Sequence, residues 1–578
     1  MFEEEPATDQ DDTTLPLFPP TILEVVNLTR STLLDPIPND EIKECGSILR
    51  ALKRCPKSLL QLAYEQMHVV PYKDVRTCWR RLYTDAALWI ALGVLESVEL
   101  GEDVSGEEKD EEGDWVTRVV KSLDMALILT GGPRREELIE LIFSALEGVI
   151  EKEEGGKEVQ EKEQDGSDYT LTQRPAKRQK LELPAPRHDG GQEDVLPTPA
   201  EDATYRREDN KEDPIPAMNS QKKNPKPVKL ATKPWKLKPP SSKPTLPSAF
   251  PTILPPEQQP ALRHPIPRIP SSVLTLQKFE SKLSTPTTQT PTIITSAIDF
   301  WPALNSPTRS WSHPSYLLSR TLNGRRLVPI ELGRTYTDSD WGQKILSFGD
   351  FIYSYMFSSL PTSPNHSTRN EENTQPKQTA YLAQHDLFTH LPSLRADISI
   401  PDYCYVSLPT PPWVPENISS LSTPVPPKLE TPLLNAWFGP AGTISPLHTD
   451  PYHNILAQVV GYKYVRLYAP GQTRYMYPRG KDERGVDMGN TSSVDLDEVG
   501  SVFGEVGIWG VDGWSGEQGR VRAVEEKRRK LHERFPGFVE AEYVECVLGP
   551  GDCLYIPVGW WHYVRSLTPS FSVSFWFN

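Results

Sequence analysis

Cysteine is scarce in this sequence, which limits the covalent scaffolds that it can form. Only six cysteines occur among 578 residues, and no two of them stand in CxxC spacing. Domains held together by disulfides are shorter and much denser in cysteine. We therefore expect no disulfide framework, and the cysteine pattern favours a reducing compartment.

Long apolar runs are also missing. No stretch approaches the roughly 20 apolar residues that span a bilayer. The N-terminal segment Met1–Glu5 is acidic and lacks the apolar core of a signal peptide. The sequence thus predicts a soluble, intracellular protein that does not bind membranes.

Positive charge is in deficit, because 62 Lys and Arg stand against 78 Asp and Glu, a net charge of −16. Direct nucleic-acid binding is not expected, since phosphate contacts need clustered Lys and Arg. Acidic charge near a cleft would attract a basic peptide. The expected partner is a protein or peptide substrate, with a basic protein as the candidate. The chain itself is expected to be a monomer.

Apolar residues make up only 37% of the chain, and proline is abundant at 58 residues. Such a composition indicates that part of the chain is linker and part is folded. The composition shifts along the chain predict four parts: a disordered segment 1–19, an α-helical domain 20–153, a disordered Pro/Lys-rich linker 154–268, and a globular domain 269–578 with an insertion at about 500–535.

Helical periodicity is clearest near the end of the first domain. Leu138, Ile142, Ala145 and Val149 recur at steps of four, three and four, which places them on one apolar stripe. This domain contains no catalytic constellation. A partner-binding module and a structural appendage are equally compatible with it.

Two basic stretches lie in the predicted linker, at Lys177–Lys180 and Lys222–Lys243. Either would suit a nuclear localisation signal, and a solvated run of charge explains each of them equally well.

Strand-like alternation appears in the C-terminal domain. Lys463, Val465 and Leu467 alternate with Tyr and Arg, so the three side chains share one face of a strand. The segment Phe571–Phe577 again has a period of two.

A metal-binding pattern lies between these strands. In His448-Thr449-Asp450, an H-x-D triplet, the imidazole and the carboxylate point to the same side of a strand or tight turn. His562 follows a turn, a short strand and a proline, and can face the pair across a barrel. Two His and one carboxylate on one face of a metal leave open positions, as in non-haem Fe(II) oxygenases.

Spacing alone leaves alternatives to this triad. His562 could be a packed core histidine, and His453 could replace His448 as the ligand. Zinc also accepts His and Asp ligands, and a cupin-like barrel can bind metal without oxygenase chemistry.

Several motifs together carry a family resemblance. They are Tyr381–His385, Pro401–Cys404, Asn435–Pro440, Thr443–Pro451, Gln458–Tyr468, Trp561–Arg565 and Phe571–Trp576. From about residue 270 to the last residue the sequence resembles JmjC-domain oxygenases, apart from the insertion. The resemblance implies a double-stranded β-helix, a cupin-like barrel, so the whole chain is expected to be an α+β multidomain protein. It also implies an enzyme, a 2-oxoglutarate-dependent dioxygenase that uses Fe(II), 2-oxoglutarate and O2.

The resemblance implies roles for individual residues. His448, Asp450 and His562 would bind the iron and so form the catalytic centre. Lys463 would pair with the distal carboxylate of 2-oxoglutarate, and the inward face that it shares with Val465 independently calls for an anionic partner. The hydroxyls of Ser445 and Tyr381 would donate hydrogen bonds to the same carboxylate. Asn454 would contact the keto-acid end of 2-oxoglutarate.

The substrate is the least determined feature. Glu331 could pair with a substrate guanidinium and Trp437 could stack on it, although a surface carboxylate and a core tryptophan explain the two residues equally well. We expect a protein hydroxylase acting on an arginyl side chain. The alternatives are a histone lysine demethylase acting by N-methyl hydroxylation and a non-catalytic JmjC scaffold. The nucleus is the expected location, with the cytoplasm as the second.

Overall fold

A computed structural model describes residues 19–578 with several gaps. The gaps are residue 36 and the ranges 102–113, 165–245, 252, 257–258, 339–340, 358–378, 407, 409–426, 483–484, 505 and 509–517. The side chains of residues 72, 153–164 and 518–521 are likewise not described. Both basic stretches of the predicted linker therefore lie outside the described residues.

Five long helices are found in the described N-terminal part of the chain. They are α1 Ile22–Leu34, α2 Pro56–Met67, α3 Thr77–Glu99, α4 Trp115–Thr130 and α5 Glu136–Gln164, with 3-10 turns at Glu41–Ala51 and Tyr72–Asp74. Local chemistry sets the ends of α4: Asp114 caps its first turn by accepting from the Thr117 amide, and Gly131 ends it with φ 78°. From the predicted stripe, Leu138, Ile142 and Ala145 are buried in the helical core, whereas Val149 is half-buried.

Thirteen strands are found in the described C-terminal region. They are β1 Arg268–Pro270, β2 Thr292–Thr295, β3 Leu327–Leu332, β4 Gly342–Ser347, β5 Ala380–His385, β6 Leu433–Gly439, β7 Ile444–His448, β8 His453–Val460, β9 Lys463–Tyr468, β10 Tyr543–Leu548, β11 Cys553–Ile556, β12 Trp561–Ser566 and β13 Ser570–Phe577. The shorter helices between them are α6 Leu276–Leu283, α7 Pro302–Asn305, α8 Pro314–Ser319, α9 Phe348–Phe351, α10 Leu387–His390, α11 Pro392–Arg395, α12 Thr473–Met476, α13 Leu496–Gly500 and α14 Gln518–Arg534.

The strands form two sheets that enclose a barrel. The larger sheet has the order β1-β2-β11-β8-β13-β6-β5-β3-β4, and the smaller one has the order β10-β9-β12-β7. Apolar side chains from both sheets meet inside the barrel, including Leu456 and Ile556 from the larger sheet and Val465 and Val564 from the smaller one. The chain passes from β8 to β9 at Gly461, whose φ of +71° and close approach to the Pro569 carbonyl leave no room for a Cβ.

The predicted insertion packs against the outer face of the smaller sheet. Leu531 of α14 and Phe535, which follows that helix, join Tyr468 and Trp561 in one apolar cluster. The inner face of that sheet is therefore left to the barrel interior.

A buried charge cluster joins the helical region to the barrel. The carboxylate of Asp124 on α4 accepts hydrogen bonds from Arg326 Nε at 2.8 Å and from the Leu327 amide at 2.7 Å, and it lies 2.9 Å from His390 Nε2. Arg326 also stacks on Phe143, 3.9 Å from the ring centroid. Because Leu327 begins β3, the helical region contacts the strand next to one edge of the larger sheet.

The predicted fold class is confirmed, with an N-terminal helical region and a C-terminal cupin-like domain of helices and strands. The domain boundaries stay a prediction. Within the segment predicted as linker, α5 continues to Gln164 and the side chains of Phe250 and Ile266 are buried. None of the described helices is long and apolar enough to cross a bilayer.

Candidate metal centre

Strand register brings the three predicted ligands together. His448 is the last residue of β7, Asp450 lies in the turn that follows, and His562 is the second residue of β12. β7 and β12 are antiparallel neighbours, and His448 and His562 are directly paired across them. The chain therefore needs only one strand pair and one turn to assemble two imidazoles and one carboxylate.

The three side chains converge on one point. Asp450 Oδ1 lies 3.6 Å from His448 Nε2, and Asp450 Oδ2 lies 3.4 Å from His562 Nε2. One ligand atom from each residue can be chosen so that all three lie within 4.8 Å of one another. Such spacing allows a single ion to contact all three.

Backbone carbonyls fix the orientation of both imidazoles. His448 Nδ1 lies 2.7 Å from the Pro446 carbonyl oxygen, and His562 Nδ1 lies 3.1 Å from that of Trp560. With the proton on Nδ1, each ring donates to its carbonyl and presents the Nε2 lone pair to the shared point. This outer contact is typical of metal-binding histidines.

Electrostatics favour the metal-binding form of His448 and Asp450. Burial, and then the neighbouring His562, lowers the pKa of His448 to about 4. Burial alone would raise the pKa of Asp450, but the hydrogen bond and charge of His562 lower it below the usual value. The same contact with Asp450 raises the pKa of His562 against the effect of burial. At neutral pH the site thus offers a neutral His448 imidazole and an ionised Asp450.

His453, the alternative first ligand, has another role in the structure. It lies on β8, where its Nδ1 is 2.9 Å from the Tyr555 hydroxyl and its ring stacks on Tyr555. In the described part of the chain the potential metal-binding group contains His448, Asp450 and His562, without His453.

A buried lysine shares the cavity with the triad. Lys463 is 1% exposed, and its Nζ donates to the Tyr381 hydroxyl at 3.3 Å. No carboxylate pairs with it among the residues that the structure describes. Burial lowers its pKa to about 7. An ammonium held in this way is stabilised when an anion enters the cavity.

The other predicted co-substrate residues line the same cavity. Tyr381, Ser445 and Asn454 surround it together with the triad and Lys463. Ser445 hydrogen-bonds with the Tyr381 hydroxyl. The Oδ1 atom of Asn454 is buried and has no hydrogen-bond partner in the described structure. The unpaired Asn454 oxygen fits a small polar ligand, because buried polar atoms are normally satisfied.

A profile described as a cupin-like domain matches residues 278–578, more than half of the chain. Over 303 residues, 52% of this chain, the sequence is 39% identical to lysine-specific demethylase 8 of Danio rerio, of which 56% is covered. Lysine-specific demethylase JMJ30 of Arabidopsis thaliana is 37% identical over 289 residues, half of each chain. Jumonji C domain-containing protein 5 of Drosophila melanogaster is 34% identical over 288 residues, 50% of this chain and 54% of that protein.

The chain belongs to the cupin-like JmjC family. This confirms the family predicted from the motifs. The chain spans about half the length of the curated relatives that it matches. Enzymes of the JmjC family generally use Fe(II) and 2-oxoglutarate, and the His448–Asp450–His562 geometry of this JmjC protein is consistent with iron binding.

Of the two predicted substrate residues of this JmjC protein, one lines the cavity and the other lies on a strand beside it. Trp437 lines the cavity, with its ring centroid 6.1 Å from that of Tyr381. Its indole Nε1 donates to Ser574, so one edge of the ring is fixed. Glu331 pairs with Tyr381 across β3 and β5. Burial raises the pKa of Glu331, and the neighbouring indole of Trp341 opposes that rise.

The apolar lining of the cavity and the contact between Trp341 and Glu331 were not predicted from the sequence. Leu456, Ile556 and Val564 line the cavity, and Trp341 lies against Glu331. Strand periodicity could have found Leu456, since it stands two residues after Asn454 on β8. No sequence signal indicates that Trp341 reaches Glu331 on the neighbouring strand.

Proposed function

We propose that this JmjC protein is an Fe(II)- and 2-oxoglutarate-dependent oxygenase that hydroxylates a protein side chain, with arginine as the target. The observation that carries the proposal is Lys463. Its buried ammonium faces the same cavity as a two-histidine, one-carboxylate triad and lacks a carboxylate partner among the described residues. A metal site alone would not require that cation, whereas a dicarboxylate co-substrate would.

The side chains present suit the proposed cofactors. His448, Asp450 and His562 form the N,N,O donor set of non-haem Fe(II) sites. When bound, iron and 2-oxoglutarate supply oxidation of a C–H bond by O2.

The chain's own residues would bind, orient and shield the reactants. Lys463 holds the distal carboxylate, and the hydroxyls of Tyr381 and Ser445 donate to it. The amide of Asn454 contacts the keto-acid end. Leu456, Ile556 and Val564 exclude water from this side of the cavity, which strengthens each charged contact.

Arginine is proposed as the target because of the chemistry beside the cavity. Glu331 supplies a half-buried carboxylate and Trp437 an aromatic face, a combination that suits a planar guanidinium. Histone lysine demethylation is the second candidate, since three relatives carry the name lysine-specific demethylase. A non-catalytic scaffold is the third. We further propose that the protein acts in the nucleus, where histones, the substrate of the second candidate activity, are found.

Mass spectrometry of a peptide array separates the first two candidates. Arginine peptides and trimethyl-lysine histone peptides are incubated with the full chain, Fe(II) and 2-oxoglutarate. Hydroxylation adds one oxygen atom to an arginine peptide, whereas demethylation removes a methyl group from a lysine peptide. A protein that changes neither peptide class and forms no succinate from 2-oxoglutarate would be a scaffold.

Replacing Lys463 with methionine is expected to raise the KM for 2-oxoglutarate about 100-fold, since a buried charge-assisted contact contributes roughly 3 kcal/mol. The control Lys278→Met removes an exposed lysine on α6 and should leave this KM unchanged. Succinate formation at varied 2-oxoglutarate concentrations measures both. An unchanged KM in Lys463→Met would remove Lys463 from the co-substrate site.

The affinity for 2-oxoglutarate should also depend on pH. Only the protonated Lys463 attracts the dicarboxylate, and its pKa is lowered to about 7. Binding is therefore favoured below pH 7 and weakens as the pH rises above it, by up to about tenfold per unit. The variant Lys463→Arg stays charged and should show a flat profile. A wild-type KM that falls or stays constant between pH 7 and 8.5 at saturating Fe(II) would contradict this assignment.

A further inference from the structure

A second, larger cavity lies beside the metal centre. It measures about 570 Å³ and is lined by Leu467, Val544, Tyr543, Trp560, Glu540 and Glu542, among others. We call it the lateral groove. Its volume is in the range of sites that bind ligands of drug size.

Strand register places the lateral groove in line with the metal ligands. His562 on β12 pairs with Leu467 on β9, and Leu467 pairs with Val544 on β10. Directly paired residues point to the same face of a sheet. The row His448, His562, Leu467, Val544 thus runs across the inner face of the smaller sheet, from the metal centre into the lateral groove.

One apolar cluster underlies both cavities. Leu467, Val544 and Trp560 of the lateral groove belong to the same cluster as Ile556 and Val564 of the metal cavity. Trp560 also stands two residues before His562. A substrate peptide that extends from the metal cavity along this sheet therefore contacts a continuous apolar floor.

The rim of the lateral groove is acidic. Glu540 and Glu542 are both exposed, and no Lys or Arg is among the residues that line the groove. Trp560 adds an aromatic ring, which also attracts cations. An apolar floor with carboxylates and an indole ring at its edge suits an extended peptide that carries Lys or Arg.

We propose that the lateral groove binds the substrate segment that flanks the modified residue and selects a lysine or arginine about three residues away from it. This inference rests on the proposed function. Paired residues on neighbouring strands lie about 5 Å apart, so Val544 is roughly 10 Å from His562. An extended peptide covers that distance in about three residues. Glu540 and Glu542 are then specificity-determining residues.

Peptide binding tests the lateral groove directly. The probe is a fluorescein-labelled 13-residue peptide with a central arginine in a Gly/Ser background and lysines three residues to either side. The comparison peptide has alanine at both lysine positions. Fluorescence anisotropy at low salt compares the full-length wild type with the double variant Glu540→Gln/Glu542→Gln. The matched control is Glu136→Gln/Glu137→Gln, an exposed carboxylate pair in the first turn of α5.

The wild type is expected to bind the lysine peptide about five- to tenfold more tightly than the alanine peptide, as two rim charge contacts would give. That preference should fall below about twofold in the groove variant and persist in the control. A preference that survives in the groove variant overturns the proposal. An equal loss in the control also overturns it, because the effect would then come from the net charge of the protein.

Turnover of the same peptides separates this proposal from the proposed function. In the groove variant, the KM of the lysine peptide should rise while kcat and 2-oxoglutarate turnover without peptide stay unchanged. If binding depends on Glu540 and Glu542 but no peptide gains oxygen, the binding role of the lateral groove is supported and the proposed activity is contradicted. If both peptides gain oxygen with equal KM values in the wild type, the proposed activity is supported and the binding role of the lateral groove is contradicted.

Discussion

Replacing His562 with alanine is expected to abolish succinate formation from 2-oxoglutarate, a loss of at least about a thousandfold in kcat. The change removes one of the three groups that converge at the centre and leaves the pair His448 and Asp450, which cannot define the open coordination face by themselves. Succinate formation and protein-bound iron are measured together on the purified full chain.

Two other histidines provide controls for this prediction. His532 is exposed on α14, and His532→Ala should retain full activity and iron content. His453 is buried against Tyr555, so His453→Gln should lower thermal stability while keeping the iron. If His562→Ala retained stoichiometric iron and full succinate formation, His562 would not be a ligand. If His453→Gln alone lost the iron, the ligand set would need revision.

Replacing Asp124 with asparagine is expected to lower the free energy of unfolding by about 3–5 kcal/mol. The substitution removes the carboxylate that pairs with the buried guanidinium of Arg326 at the interface between α4 and β3. The matched control is Glu147→Gln, since Glu147 pairs with Arg320 at 3.3 Å and both are about one-third exposed. An exposed pair contributes at most about 1 kcal/mol. Urea unfolding of the two variants measures the difference.

The contribution of Asp124 to the free energy of unfolding should also depend on pH. Burial would raise the pKa of Asp124, but the charges of Arg326 and His390 lower it below the usual value. A lowered pKa in the folded state stabilises the fold above the unfolded pKa of about 4, and this contribution is lost as the pH falls further. The stability gap between wild type and Asp124→Asn should therefore be full at pH 7 and shrink below pH 4. A gap that is absent at pH 7 would contradict a structural role for the cluster.

The geometry of the candidate site was predictable wherever it follows from local spacing. His448 and Asp450 are two residues apart, so their shared direction follows from backbone geometry alone. Lys463 could be placed inside the barrel because it alternates in step with Val465. Both conclusions need only the residues on one strand or turn. The family resemblance then supplied the fold and the implied roles.

The features that the sequence did not reveal depend on contacts between distant segments. Asp124 and Arg326 are 202 positions apart in the sequence, and neither stands in a motif. In the sequence, Glu540 and Glu542 cannot be distinguished from other surface carboxylates. Only the pairing of β10 with β9 brings them near the metal ligands. Strand order and register determine these contacts, and neither can be read from periodicity.

The geometry also bears on how the helical region relates to the reaction. Asp124 accepts from the amide of Leu327, and Glu331 lies four residues further along the same strand. The helical region thus holds the strand that carries the proposed guanidinium partner. This contact favours a structural contribution of the helical region to the substrate side of the cavity.

The proposed oxygenase activity is tested most directly by a coupled measurement on the full chain, in which succinate and oxygenated peptide are quantified in the same reaction with and without Fe(II). Succinate is expected to form only with Fe(II) and to accompany the gain of one oxygen atom by an arginine peptide. Both products should disappear in His562→Ala. Equal succinate formation without Fe(II), or in the His562→Ala variant, would contradict the proposed metal centre.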